Sequence, residues 1–151
     1  MELSATGLDL LKLSEGFRSN TYLDVEGYPT IGYGHRILAS ESFPDGIDQE
    51  KAELMLREDL RVAERAVERL VRVPLSQGQF DALVDFCFNM GSRRLAASTL
   101  LRELNSGRTS AAAVELLRWD HAGVEVSAGL RARREAEFRL WTESGPRAKT
   151  S

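Results

Sequence analysis

Apolar positions recur along the chain at two different periods, and the places where the period changes mark out its elements. Leu3 and Leu10 stand seven apart with Leu8 and Leu11 beside them, while Asp9 and Lys12 fall opposite. That spacing predicts a short amphipathic helix from Leu3 to Ser14, capped by Ser4 or Thr6, with Glu15 delivered at its C-terminal end. From Phe17 to Ile37 the helical period stops. Thr21, Tyr22, Leu23, Tyr28, Thr30, Ile31 and Tyr33 are strand formers, and Asp24-Val25-Glu26-Gly27 reads as the turn between two strands. A small antiparallel sheet of two or three strands is predicted, one that must lean on a helix to be stable. Ala39 to Gly46, with Pro44, Asp45 and Gly46, reads as a loop.

The helical period then returns. Asp48 caps a long helix reaching about Val71, in which Ala52, Leu56, Leu60, Ala63, Val67 and Leu70 form one apolar seam. Glu53 before Arg57 and Glu68 before Arg72 are spaced for i,i+4 pairing, and Pro74 stops the helix. Ser76 with Gln79 forms a capping box for a second helix through Phe80, Leu83, Val84 and Phe88, apolar nearly all round and therefore the buried centre of its lobe. Short helices are predicted around Leu95, at Ser98–Leu104 and at Ser110–Trp119. After a loop at His121–Ala128, a last amphipathic helix runs from Gly129 to Glu143 with Leu130, Phe138 and Trp141 inward. Gly145 to Ser151 has the composition of a frayed tail.

Composition narrows the classes. At 151 residues and 42% hydrophobic, the chain can bury a core as one domain or as two small lobes. A net charge of −3 argues against a general nucleic-acid binder, although four arginines crowd into Arg131–Arg139. A single cysteine, Cys87, excludes an internal disulfide and reads as a small buried hydrophobe. Two histidines far apart make a metal site improbable, and no cofactor motif is present. The first residues lack the basic leader and unbroken apolar run of a secretion signal, and no stretch is long and apolar enough to span a membrane.

The candidate chemistry gathers between Glu15 and Arg36. Glu15, Asp24 and Thr30 combine two acids in different surroundings with a small hydroxyl, and Gly27, Gly32 and Gly34 punctuate the run with tight turns. Two carboxylates held on such a hairpin suit chemistry on a glycosidic bond. A carboxylate at the end of the first helix also meets the negative end of the helix dipole, which favours its acid form. The stretch EGFRSNTYLDVEGYPTIGYGH resembles the active-site signature of phage-type lysozymes, glycoside hydrolase family 24, which includes the T4 and lambdoid phage endolysins. SQGQFDALVDFCFNMG is similar to that family's central helix, STLLRELNSG to its next one, and RW with GLRARREAEFRLW to its final helices, so the resemblance covers roughly residues 1 to 143.

The resemblance implies a mostly helical α+β lysozyme domain. A hairpin lobe (about 15–47) and a helical lobe (about 73–143 with the first helix) would be joined by the helix over 48–72, with a cleft for glycan between them and a flexible tail at 144–151. It implies a muramidase that cuts the β-1,4 bond between N-acetylmuramic acid and N-acetylglucosamine with inversion, without metal or cofactor. Glu15 would be the general acid, and Asp24 and Thr30 would handle water. Arg36, Phe88 and Thr99 match the family's substrate contacts. His35 is expected to be structural, pinned to Asp59 on the long helix. Arg131 is the closest match to an arginine that reaches the acid or the cleft, with Arg133 and Arg134 as alternatives to it; otherwise such arginines form a solvated face. The expected setting is an endolysin, a monomer held in the host cytoplasm until a holin releases it onto peptidoglycan. Three other readings compete: an idle wall-binding relative, a helical interaction or DNA-binding protein, and a lytic transglycosylase that would leave Asp24 and Thr30 unexplained.

Overall fold

A computed structural model describes residues 1–143; the tail expected at 144–151 lies outside the described residues. The chain divides into two compact units, Asp9–Val62 and Met1–Leu8 with Ala63–Ser151. The divisions fall inside two helices, α1 (Ala5–Glu15) and α2 (Gln49–Leu70). Among the described residues the fold is mostly helical with small antiparallel sheets.

The unit Asp9–Val62 is built on three antiparallel strands in the order β1 (Arg18–Leu23), β2 (Pro29–Gly32), β3 (His35–Arg36). Tyr22 lies across from Thr30, and Thr30 across from Arg36, so one row of residues crosses the sheet. The β1–β2 turn is made by Asp24, whose Oδ1 accepts the N–H groups of Glu26 at 2.9 Å and Tyr28 at 2.8 Å. Gly27 completes it at φ 86°, a conformation that side chains resist. Asp48 caps α2 through the Lys51 N–H at 2.8 Å, as its position before the helical period requires. Ala52, Leu56 and Leu60 are buried along the predicted seam. Glu53, expected to pair with Arg57, is bonded to Lys12 of α1.

The other unit is organised on α3 (Gln77–Met90), which carries the Ser76–Gln79 capping box and is buried from Phe80 through Cys87. The start of the chain docks here. Ser4 Oγ caps α1 by accepting the Gly7 N–H at 3.2 Å, donates to Asp81, and the Ser4 N–H donates to the same carboxylate at 3.0 Å. Glu68, expected to pair with Arg72, instead holds the N-terminal amine at 3.0 Å. The end of α2 is closed before Pro74 is reached: Asn105 Nδ2 donates to the Leu70 carbonyl at 3.0 Å and its Oδ1 accepts the Arg72 N–H at 2.8 Å.

Helices α4 (Ser92–Ala97), α5 (Thr99–Asn105), α6 (Thr109–Leu116) and α7 (Ala128–Glu143) follow, with α3 against α7, α5 against α6 and α6 against α7. Two expectations need correcting. His121–Ala128 is not all loop: β4 (His121–Ala122) pairs with β5 (Glu125–Val126) around Gly123. The inward face of α7 is not chiefly apolar either. Trp141 is buried, but Leu130 and Phe138 are half-buried, and Arg133, Arg134 and Glu137 are sunk in the interior. The solvated-face reading therefore fails for Arg133 and Arg134.

These groups bond to one another within α7 and across to α3, while Arg134 Nε and Nη1 have no hydrogen-bond partner among the described residues. Arg133 makes a two-pronged bond to Asp85, Nε to Oδ2 at 2.9 Å and Nη2 to Oδ1 at 3.0 Å. Arg134 Nη2 donates to Asn89 Oδ1 and to Glu137 Oε2, each at 2.8 Å, and its guanidinium lies 5.0 Å from the centre of the Phe86 ring. Burial pushes the Glu137 carboxyl well above its ordinary range, and the neighbouring Asp85 carboxylate adds to the push. Burial works against charge on Asp85 too, but the Glu137 hydrogen bond and the Arg133 charge outweigh it and hold Asp85 low. Both effects favour the protonated form of Glu137 and the ionised form of Asp85. Oε2 of Glu137 accepts from Arg134, whereas Oε1 has no hydrogen-bond partner among the described residues.

Candidate functional site

The residues singled out between Glu15 and Arg36 all belong to the unit Asp9–Val62. Glu15 is the last residue of α1, where the Gly16 N–H closes the final turn on the Lys12 carbonyl at 2.8 Å and Gly16 turns away at φ 71°. Its carboxylate lies against the β2–β3 turn: a Cβ on Gly34 would stand 2.5 Å from Glu15 Oε1. Only glycine fits there, on grounds of both space and its φ of 73°. Tyr22, on β1, feels both acids. Burial pushes its hydroxyl up first, the Glu15 charge second; Arg18, stacked 4.2 Å over its ring, opposes, and Asp24 adds a smaller push.

Asp24 and Thr30 are tied together through one residue, Tyr28. The Tyr28 N–H donates to Asp24 Oδ1 at 2.8 Å, while the Tyr28 carbonyl accepts the Thr30 hydroxyl at 2.8 Å and the Asp24 N–H at 2.9 Å. The Asp24 carboxyl is held below its ordinary range, chiefly by the Tyr28 N–H; partial burial opposes this, and the Glu26 N–H and Arg36 add to it. Asp24 is thus held toward its ionised form, with Oδ1 taken by two backbone N–H groups and Oδ2 facing Arg36 at 3.5 Å. Thr30 is buried and has spent its proton on a carbonyl, which leaves its oxygen as an acceptor.

His35 is clamped at both nitrogens, Nδ1 by Asp59 Oδ2 at 2.7 Å and Nε2 by Glu41 Oε1 at 2.9 Å. The Asp59 bond, partly opposed by burial and helped by Glu41, pushes its pKa up to about 9, so the ring is a fixed imidazolium. Asp59 was legible as its partner. Glu41 was missed, since nothing in a loop glutamate marks it. Arg36 stacks over Tyr28 at 4.0 Å, donates to Glu26 Oε1 at 3.0 Å and lies 3.5 Å from Asp24 Oδ2.

The remaining candidates belong to the other unit. Phe88 is half-buried near the end of α3, and Thr99 is exposed at the start of α5, its hydroxyl accepting Arg102 Nη2 at 3.0 Å. Arg131 is exposed and faces Asp120 Oδ2 at 3.3 Å. Trp141 is core, and Trp119 is half-buried, edge-on to Phe86 at 5.3 Å. Burial pushes the Cys87 thiol up to about 11, as befits an inert interior residue. A shallow groove of about 640 Å³ runs between Ser40–Phe43 and Lys51, Met55 and Arg61 of α2. Its lining includes Glu41, the second partner of His35, but none of Glu15, Asp24, Thr30, Arg36, Phe88 and Thr99.

A helical unit organised on α3 and a unit carrying a three-stranded antiparallel sheet are the elements of the lysozyme fold. The chain superposes on the crystal structure of a P22 lysozyme point mutant with a TM-score of 0.80 and 40% identity, covering 93% of this chain and 98% of that one. The phage lysozyme family model matches residues 12–137, and the chain belongs to that family. It is 43% identical over 137 residues to the endolysin of Salmonella phage P22, covering 89% of this chain and 94% of that protein. It is 44% identical over 144 residues to the endolysin of Bacillus phage B103, covering 93% of this chain but 54% of that protein, so it spans about half the length of this longer relative.

Proposed function

We propose that the chain is a muramidase of the endolysin kind, within glycoside hydrolase family 24, that hydrolyses the β-1,4 bond between N-acetylmuramic acid and N-acetylglucosamine in peptidoglycan. The observation that carries this reading is the Tyr28 backbone, whose N–H and carbonyl bond to Asp24 and Thr30 respectively. A water that donates one hydrogen to Asp24 Oδ2 and the other to Thr30 Oγ1 has both protons engaged and a lone pair free. That lone pair attacks the anomeric carbon as the bond to the leaving oxygen stretches. Glu15 gives its proton to the leaving oxygen, and the water's proton passes to Asp24. Attack from the face opposite the leaving group inverts the anomeric centre.

Asp24 is a weak base because two backbone donors and Arg36 stabilise its charge. Its part is therefore to orient water and stabilise the oxocarbenium ion early, taking the proton late. His35 holds β3 to α2 through Asp59 and takes no proton. Phe88 and Thr99 contact the glycan. The protein works as a monomer, waits in the host cytoplasm and reaches the wall when a holin opens the membrane; among the described residues no helix is long and apolar enough to cross a membrane.

Clearing of purified peptidoglycan by the intact protein and by Glu15→Gln tests the reading. The protein should clear the suspension and Glu15→Gln should not. Equal clearing by both would remove Glu15 as the acid, and an anhydro sugar among the products would point to a transglycosylase.

A further inference from the structure

Arg36 has three neighbours in the hairpin, an arrangement that points inward to Asp24 as much as outward to a sugar. Its backbone sits opposite Thr30 in the β2–β3 ladder, so strand register fixes where the side chain begins. Its guanidinium is then braced on two sides, by the Tyr28 ring at 4.0 Å and by Glu26 Oε1 at 3.0 Å. The remaining edge, Nε, lies 3.5 Å from Asp24 Oδ2. Oδ1 of the same carboxylate is filled by two backbone N–H groups, so Oδ2 is the oxygen left for chemistry and Arg36 is the cation beside it.

We propose that Arg36 is a positioning residue for the hydrolysis, its braced guanidinium fixing the direction of Asp24 Oδ2 and balancing its charge. This rests on the reading of Asp24 as the carboxylate that handles water. The charged and titratable groups around Asp24 are Arg36 on β3, Glu26 in the turn and Tyr22 on β1, with Arg18 over the Tyr22 ring and Glu15 acting on the same hydroxyl. Arg36 is the cation among them that faces Oδ2. Removing it releases the carboxylate from its side neighbour and leaves the backbone donors on Oδ1 in place. A fork and a stacked plane are both in use, so lysine supplies the charge without the geometry.

Two measurements on Arg36→Gln and Arg36→Lys test this, one without substrate and one with it. In the free protein, the Asp24 carboxyl followed by NMR should titrate higher in Arg36→Gln than in the intact chain, with Arg36→Lys in between. In peptidoglycan hydrolysis, kcat should fall about tenfold or more in Arg36→Gln with KM little changed, and the acid limb of the pH profile should move up with Asp24. Arg36→Lys should restore the limb further than it restores kcat. A raised KM with the Asp24 titration and the acid limb unmoved would overturn the proposal and leave Arg36 a sugar contact. Arg36→Lys keeps the test open if Arg36→Gln unfolds. Asp24→Asn separates the two failures: full activity in that variant sinks the water-handling reading itself, whatever Arg36 does.

Discussion

Arginine meets carboxylate in two very different settings in this molecule. In the hairpin, Arg36, Asp24 and Glu26 lie at the surface, with the Arg36 side chain 52% exposed. Between α3 and α7, Arg133, Asp85, Arg134 and Glu137 are buried, the last three completely. Water supports the first cluster, so each charge there survives alone and is adjustable. The second is buried, so its charges depend on partners within the protein. The same side chains therefore tune a carboxylate in one place and set the interior of a helix pair in the other. Activity should follow the first and stability the second.

The largest effect should come from separating the two clusters by mutation. Asp85→Ala leaves Arg133 buried without its two-pronged partner, and unfolding in urea should show a loss of about 3–5 kcal/mol. Asp24→Asn keeps an oxygen for the Glu26 and Tyr28 N–H groups, so its unfolding transition should stay close to that of the intact chain. Its clearing activity should nonetheless drop about a hundredfold or more. If Asp24→Asn unfolds as readily as Asp85→Ala, the hairpin cluster is structural and the contrast collapses.

A subtler test asks where the buried proton is. Glutamine copies a protonated glutamate: in Glu137→Gln the amide can donate to Asp85 while its oxygen accepts Arg134 Nη2. Folding raises the Glu137 carboxyl well above its ordinary 4.5, so stability is greatest where folded and unfolded chains both hold the proton, and it declines as pH rises toward the folded value. Asp85, held low, runs the other way and costs stability only as pH falls through its own ordinary 3.8. Glu137→Gln should therefore gain on the intact protein as pH is raised from about 5 to 8, in urea unfolding at each pH. A constant large loss at every pH would mean that Glu137 is ionised.

Burial likewise separates what was legible in the sequence from what was not. The hairpin was legible because its period changes after Ser14, and Asp24 to Gly27 spells a turn in side-chain chemistry. The long helix was legible from Ala52, Leu56, Leu60, Ala63 and Val67. The role of Tyr28 was not, because its N–H and carbonyl do the work and every residue carries those. The buried arginines were hidden for a different reason. Arg133 is a polar position on a helix, and its partner Asp85 lies 48 residues away on another. The signal available was Asp85 itself, with Asp81 one of two carboxylates in a helix apolar nearly all round. The β4–β5 hairpin was missed because two-residue strands are too short to show alternation.

His35 stands between the two regimes, buried but reached from both sides by partly exposed carboxylates. Folding raises its value from 6.5 to about 9, so the clamp stabilises fully below about 6.5 and its contribution is lost as pH climbs through about 9. Glu41 is shifted downward, chiefly by the Leu38 N–H and then by His35, and its share fades as pH falls through its ordinary 4.5. In Asp59→Asn the imidazole should titrate well below about 9 by NMR, and stability at neutral pH should fall by about 1–3 kcal/mol, a difference that shrinks above the folded value. An unmoved titration would mean that Asp59 does not set the histidine's charge.

The smallest effect is expected two residues from one of the largest. Arg131 lies on α7 with Arg133, but its side chain is 57% exposed and its bond to Asp120 is 3.3 Å long. Asp120 does not depend on it, since His121 Nδ1 lies 2.8 Å from the other oxygen. Arg131→Ala should therefore shift unfolding by less than about 1 kcal/mol, and added salt should erase the difference because water already screens the pair. Arg133→Met, by contrast, strands the Asp85 charge in the interior and should cost about 3–5 kcal/mol at any salt concentration. Equal losses in the two variants would show that position along α7, not access to water, decides what an arginine contributes.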